Sequence, residues 1–194
     1  MSELNHSIDF SKSALVNAAE ALAREIHKND KYNNLPYADA HLKRAVIIGT
    51  DFSGYYIPPE KAETVIAAIW LHDGWEDHPN ELNYRKIREA IGSDVAKLVY
   101  AVTNELGIDR IDTALKTYPK LRSDQFAIYI KLCDRIANVK ACIDGLTSTS
   151  IAAECKRKME MYNKEYPMFR YCLKQGSSYA SMWELLDKLH EDNK

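Results

Sequence analysis

The longest uninterrupted apolar run in the chain, VIAAIWL at residues 65–71, passes directly into His72-Asp73-Gly74-Trp75-Glu76-Asp77-His78. A run this apolar reads as a helix buried on every side. Such a helix ordinarily ends in a cap and a turn, not in five ionisable groups within seven positions. Charges beside a core are costly unless something compensates them. Imidazole nitrogens and carboxylate oxygens are common metal ligands, so a metal ion is one compensator. The plain alternative is a solvated helix end that carries acidic residues. For any one of these residues taken alone, that alternative is the better reading.

The rest of the chain sets the frame around this cluster. There are only 7 Gly and 6 Pro in 194 residues, and no strong alternating pattern of strands. Leu15, Ala18, Ala19, Leu22 and Ile26 follow the helical period, with Ser11 as the expected cap. A polar loop is expected at 29–36, then a helix carrying His41, Leu42, Ala45 and Ile48. Residues 50–59, with Gly54 and a Pro pair, read as a turn-rich connection. Pro59 suits the first position of the next helix, which runs to about His72. A segment with Ile87 and Ile91 on one face stops at Gly92, and Ser93 suits the cap of the helix after it. A loop is expected over 104–123, then helices over 124–143, 150–173 and 181–189. No repeat, low-complexity tract or long linker divides the chain, so a single all-α domain spanning 1–194 is expected.

Charge and composition remove several functions. The 26 basic and 28 acidic residues give a formal charge of −2, without the electrostatic footprint of a nucleic-acid binder. The longest apolar run is far short of the roughly 20 residues of a membrane helix, so no membrane partner is expected. The N-terminus is polar and lacks a signal pattern, which points to the cytoplasm and makes the Asn5-His6-Ser7 glycosylation sequon meaningless. Cys133, Cys142, Cys155 and Cys172 form no CxxC pair and read as reduced thiols. A homo-oligomer is compatible with this composition.

Two further positions fit the chemistry of the cluster. His41 lies just after Leu35-Pro36-Tyr37. Asp134 interrupts an otherwise apolar helical stretch, Lys131-Leu132-Cys133-Asp134-Arg135-Ile136-Ala137-Asn138, with Asn138 one turn later on the same face. An Asp flanked by Leu132 and Ile136 needs a partner: an Arg, a helix cap or a metal.

Three separated motifs now stand in order: PYxxxHL from Pro36, HDxxED from His72 and KLxDRxxNV from Lys131. Together they resemble the HD-domain metal-dependent phosphohydrolases, and most nearly the hydrolase domain of the RelA/SpoT proteins and the small alarmone hydrolases. The resemblance extends from the first helix to about Tyr166. It implies a compact helical bundle with a metal site between its central helices. It also implies His41, His72, Asp73 and Asp134 as ligands of a divalent metal, with manganese as the family's usual ion. Glu76 and Asp77 match the catalytic acidic pair, and Asn138 matches a residue contacting substrate sugar or phosphate.

Arg44, Lys131 and Arg135 stand near these motifs and would suit phosphate charge, or equally a solvated or salt-bridged role. Tyr162 suits the face of a nucleobase or the core face of the last long helix. Two positions depart from that branch. Its basic stretch before the first His is here Lys31-Tyr32-Asn33-Asn34-Leu35, with one cation, and Ala141 stands where the branch usually has Thr. The expected substrate is a small-molecule nucleotide, foremost guanosine tetra- or pentaphosphate losing its 3′-pyrophosphate in a free-standing hydrolase. Alternatives are a 5′-nucleotidase, an NADPH 2′-phosphatase, or a non-catalytic module that senses metal or nucleotide. No P-loop, dinucleotide loop, GxSxG elbow or HExxH is present.

Overall fold

A computed structural model describes residues 8–193. The sequon at 5–7 lies outside the described residues. The architecture is all-α, built around two helices with long buried stretches. Helix α3 (Pro59–Leu71) starts with proline at its first position and Glu60 in its first turn, and every residue from Val65 to Leu71 is buried. Helix α8 (Gln125–Gly145) is capped by Asp124, whose carboxylate accepts the Phe126 N–H at 2.8 Å. It buries its apolar residues on several faces, together with Asp134 and Arg135. Helices α1 (Ala14–Ile26), α2 (Lys43–Tyr56) and α6 (Ser93–Val102) pack around α3. Helices α9 (Ala152–Lys174) and α10 (Ala180–Glu191) cover α8. The short pieces α4 (Gly74–Asp77) and α5 (Tyr84–Ala90) connect α3 to α6. No helix among the described residues is long and apolar enough to cross a membrane, and all four cysteines are free.

Several boundaries differ from the sequence reading, each for a physical reason. The cap of α1 is Ser13, which accepts the Val16 N–H at 3.3 Å, while the Ser11 N–H is taken by the Asp9 carboxylate at 2.9 Å. Helix α2 runs through the expected connection at 50–59 as far as Tyr56. An interior glycine costs a helix only about 1 kcal/mol. Gly49 also allows a close approach, because a side chain there would run into Ile69. Ser93 is the first residue of α6, and Gly92 takes the cap position with φ +140°, a conformation that glycine adopts freely.

The loop expected over 104–123 contains helix α7 (Arg110–Arg122). Asp109 caps it by accepting the Asp112 N–H at 2.8 Å, and it tolerates Pro119 inside. It buries only Thr117, Tyr118 and Leu121, too thin a stripe to read from the sequence. The polar loop at 29–36 folds into a hairpin in which Lys31 pairs Pro36 and Tyr32 pairs Leu35. Its two turn residues, Asn33 and Asn34, have φ of +50° and +67°, as a tight hairpin turn requires.

Candidate metal centre

The three motifs converge where α3 ends against the middle of α8. His72 follows the last residue of α3, and Asp73 follows His72 before the single turn of α4. Asp134 projects from the centre of α8. His41 comes from a π-helical turn, Ala38–Leu42, that leads into α2. Such turns carry one extra residue and recur at functional sites. His41 Nε2 and His72 Nε2 are 3.3 Å apart. Each lies 3.1 Å from Asp73 Oδ2, and they lie 3.5 and 3.6 Å from Asp134 Oδ1. His41 and His72 are almost fully buried.

The chemistry of this donor set fits a cation. The Ile69 carbonyl accepts from His72 Nδ1 at 2.7 Å, which leaves Nε2 of a neutral imidazole without a proton. That nitrogen faces Nε2 of His41 and the carboxylates of Asp73 and Asp134. Electrostatics say the same. Burial opposes the charged form of His72, yet Asp73 and Asp134 outweigh it and hold its pKa well above the ordinary value. Burial also opposes the Asp73 and Asp134 carboxylates. The positive charge of His72 holds Asp73 ionised, and Lys131 with His72 does the same for Asp134, so both lie well below the usual range. The protein thus favours a positive charge at this point, and His41, His72, Asp73 and Asp134 could hold a divalent ion there.

The surrounding side chains orient these donors. Tyr37, in the first motif but not singled out there, donates its hydroxyl to Asp73 Oδ2 at 2.7 Å. Asn138 donates its amide to Asp134 Oδ1 at 2.5 Å and accepts from the Tyr32 hydroxyl at 2.8 Å. Lys131 Nζ lies 3.1 Å from Asp134 Oδ2. Partners of this kind fix ligand orientation and tune basicity.

A cavity of about 710 Å³ opens from the cluster, lined in part by Asp73, Glu76, Asp77, Lys131, Asn138 and Tyr162. Glu76 and Asp77 stand on its rim, and the backbone N–H of Asp77 returns to the Asp73 carbonyl at 2.9 Å, so the turn continues helically past the cluster. Withdrawal from water, with the Asp73 and Glu76 charges, pushes the Asp77 carboxyl up to about 6. Arg135 also lines the cavity. It is sandwiched between the rings of Tyr162 and Phe169 at 4.7 and 4.8 Å and bonded to Glu165 at 3.2 Å. Tyr162 therefore serves both the cavity wall and internal packing.

Arg44 is not brought to this site. It pairs with Asp144 at 2.6 Å beside a separate groove. The sequence reading also missed Asn104 and the α7 wall, including Arg110 and Tyr118, since both fall in the segment read as loop. A second group, His27, Asp30 and His78, lies next to the first. The Asp30 carboxylate takes His27 Nδ1 at 2.7 Å and His78 Nε2 at 2.6 Å, and the His27 ring stacks on Tyr37 at 4.7 Å.

The helices bring the three motifs together within the all-α bundle that the sequence led us to expect. Nearly the whole chain superposes on a solved structure of a metazoan ortholog of SpoT described as hydrolysing ppGpp and playing a role in starvation responses. The TM-score is 0.72 at 20% identity, covering 93% of this chain and 96% of that one. A stretch of 82 residues, 40% of the chain, is 42% identical to the guanosine-3′,5′-bis(diphosphate) 3′-pyrophosphohydrolase of Aquifex aeolicus (strain VF5). The chain spans about 11% of the length of that curated relative. No family model matches the chain.

Proposed function

We propose that the protein is a metal-dependent phosphohydrolase that removes the 3′-pyrophosphate of guanosine tetra- or pentaphosphate, leaving GDP or GTP. The observation that carries this reading is the meeting of His41, His72, Asp73 and Asp134 at the head of a cavity rimmed by Glu76 and Asp77. The activities for which the Aquifex relative and the metazoan SpoT ortholog are named support the same substrate. A divalent ion, for which manganese is our candidate, would be held by His41, His72, Asp73 and Asp134 and would supply Lewis-acid polarisation and a more acidic water at neutral pH.

The chain's own residues do the rest. Glu76 orients the nucleophilic water and takes its proton. Asp77, with its carboxyl near 6, holds a second water at the rim. Lys131 meets phosphate charge, and Asn138 contacts the sugar or phosphate. Tyr162 and the buried face of Arg135 bound the nucleotide. We assign Arg44 no role.

Hydrolysis of a nucleotide panel with added manganese tests this. The panel holds ppGpp, pppGpp, NADPH and common mono- and triphosphates, with Asp73→Ala as the control. Pyrophosphate release from ppGpp, lost in the control, is the expected result. Turnover of another member alone replaces the substrate and keeps the chemistry. Silence across the panel with metal bound removes the catalytic reading in favour of a sensor.

A further inference from the structure

Glu76 is gripped by a single residue. The Asn104 side-chain amide donates to Glu76 Oε1 at 2.8 Å, and the Asn104 backbone N–H donates to Oε2 at 3.2 Å. The end of α6 creates this grip. Thr103 turns out of the helix at φ −60°, ψ 131°, and both its N–H and its hydroxyl return to the Val99 carbonyl, at 3.0 and 2.8 Å. The helix is thereby closed one residue early, and the Asn104 N–H points outward to Glu76.

The neighbours of Asn104 are fixed to α7. Lys120 donates to the Thr103 carbonyl at 2.7 Å and to the Glu105 carboxylate at 2.6 Å, and the Glu105 N–H donates to the Thr117 hydroxyl at 2.9 Å. Three contacts thus hold the short stretch that carries the two donors.

We infer that Asn104 is the positioning residue for Glu76: it fixes one edge of the carboxylate so that the other faces the cavity. The inference rests on the proposed function, in which Glu76 acts on the nucleophilic water. A carboxylate has about four lone-pair sites, and two of them are occupied on the Asn104 side. Those that remain accept the water. Neither Asn104 donor titrates, so the orientation survives across the working pH range. Glu76 needs this support because it stands exposed on a turn of four residues, where nothing else among the described contacts restrains its side chain. Displacement of a catalytic group by about 1 Å costs on the order of 10²-fold in rate.

The test uses the full chain with manganese and the nucleotide that the wild type turns over fastest. Asn104→Ala is expected to lower kcat about 10- to 100-fold while KM and metal content stay unchanged. Asn104→Asp keeps the shape but sets a negative acceptor against Glu76, and is expected to fall further. In a Glu76→Gln background, Asn104→Ala is expected to change kcat by less than about 2-fold, because both substitutions disable one unit. A structural role would instead lower kcat equally in both backgrounds, and that result overturns the inference. So does an active wild type with Asn104→Ala at full rate, or a loss of metal with the side chain. A wild type silent on every nucleotide overturns the proposed function, and this inference with it.

Discussion

Two groups of histidine and aspartate lie side by side in this molecule, and they are closed in opposite ways. In the first, the His41 and His72 nitrogens lie 3.3 Å from each other and 3.1 to 3.6 Å from the carboxylates of Asp73 and Asp134. Metal–ligand bonds of about 2.0–2.2 Å at right angles separate neighbouring donors by about 2.8–3.1 Å, so a modest contraction seats an ion. In the second, Asp30 lies 2.7 Å from His27 and 2.6 Å from His78. Those are short hydrogen-bond lengths, and one carboxylate bridges the two imidazoles. Their surroundings differ as well. Carboxylates push His72 up, whereas burial pushes His27 down, against the partial offset of Asp30. Residue type alone therefore does not make a metal site. The first group concentrates two buried carboxylates on one pair of imidazoles, whereas in the second a single carboxylate bridges both imidazoles. Tyr37 joins them, stacked on His27 and donating to Asp73.

The largest expected effect separates the two groups outright. Asp134→Ala should strip the bound metal and abolish turnover, while Asp30→Asn should leave the metal content of the protein unchanged. Elemental analysis of both variants checks this, and a drop in metal on Asp30→Asn would make the second group a metal site too. Next, Glu76→Gln should retain the metal and lose about 10²- to 10⁴-fold in kcat, read from initial rates. If Glu76→Gln and Asp77→Asn both turn over normally, the assigned mechanism is wrong.

A smaller effect is thermodynamic. Asp30→Asn leaves two imidazoles short of an ionised acceptor and should cost about 1–3 kcal/mol of stability in urea unfolding. The pH dependence sharpens the contrast. Because the folded protein disfavours charged His27, the unfolded chain takes up its proton first as pH falls below the ordinary value of 6.5. The stability due to neutral His27 is present above that pH and declines as pH drops towards the lower folded value. His27→Phe should flatten that part of the stability profile, and an unchanged slope would refute the assignment. The smallest effect is expected at Arg44. Its pair with Asp144 is exposed, at 36% and 63%, so Arg44→Ala should cost less than about 1 kcal/mol and leave KM unaltered. A several-fold rise in KM would return Arg44 to the substrate site.

What the sequence made legible follows from how each signal is encoded. The two central helices announced themselves through apolar residues that only burial explains. The site announced itself through polar residues placed where burial should have excluded them, as with Asp134 between Leu132 and Ile136. Asn104 gave no such sign, because its function depends on a helix ending at Val102 and on contacts with a helix that begins six residues after it. Helix α7 was obscured by its exposed apolar residues, among them Ile111 and Leu115, which blur the buried stripe. The hairpin was compressed into four paired residues, too few for any alternation to register. Arg44 shows the converse: proximity in sequence to His41 suggested a shared site, but its guanidinium pairs with Asp144 instead.

The burial of α3 and α8 bears on how an ion would be captured. Side chains at their junction have little rotameric freedom, so most of the ordering that a binding site demands is completed when the chain folds. An arriving ion would meet donors already converged, and its affinity would be diminished little by reorganisation. Mass action then ties occupancy to the stability of the whole domain, since an ion that binds only the folded chain raises the unfolding free energy with its concentration. Opening the junction enough to scramble the donors would require disrupting the core itself, so an ion would exchange through the cavity that Glu76 and Asp77 help to line.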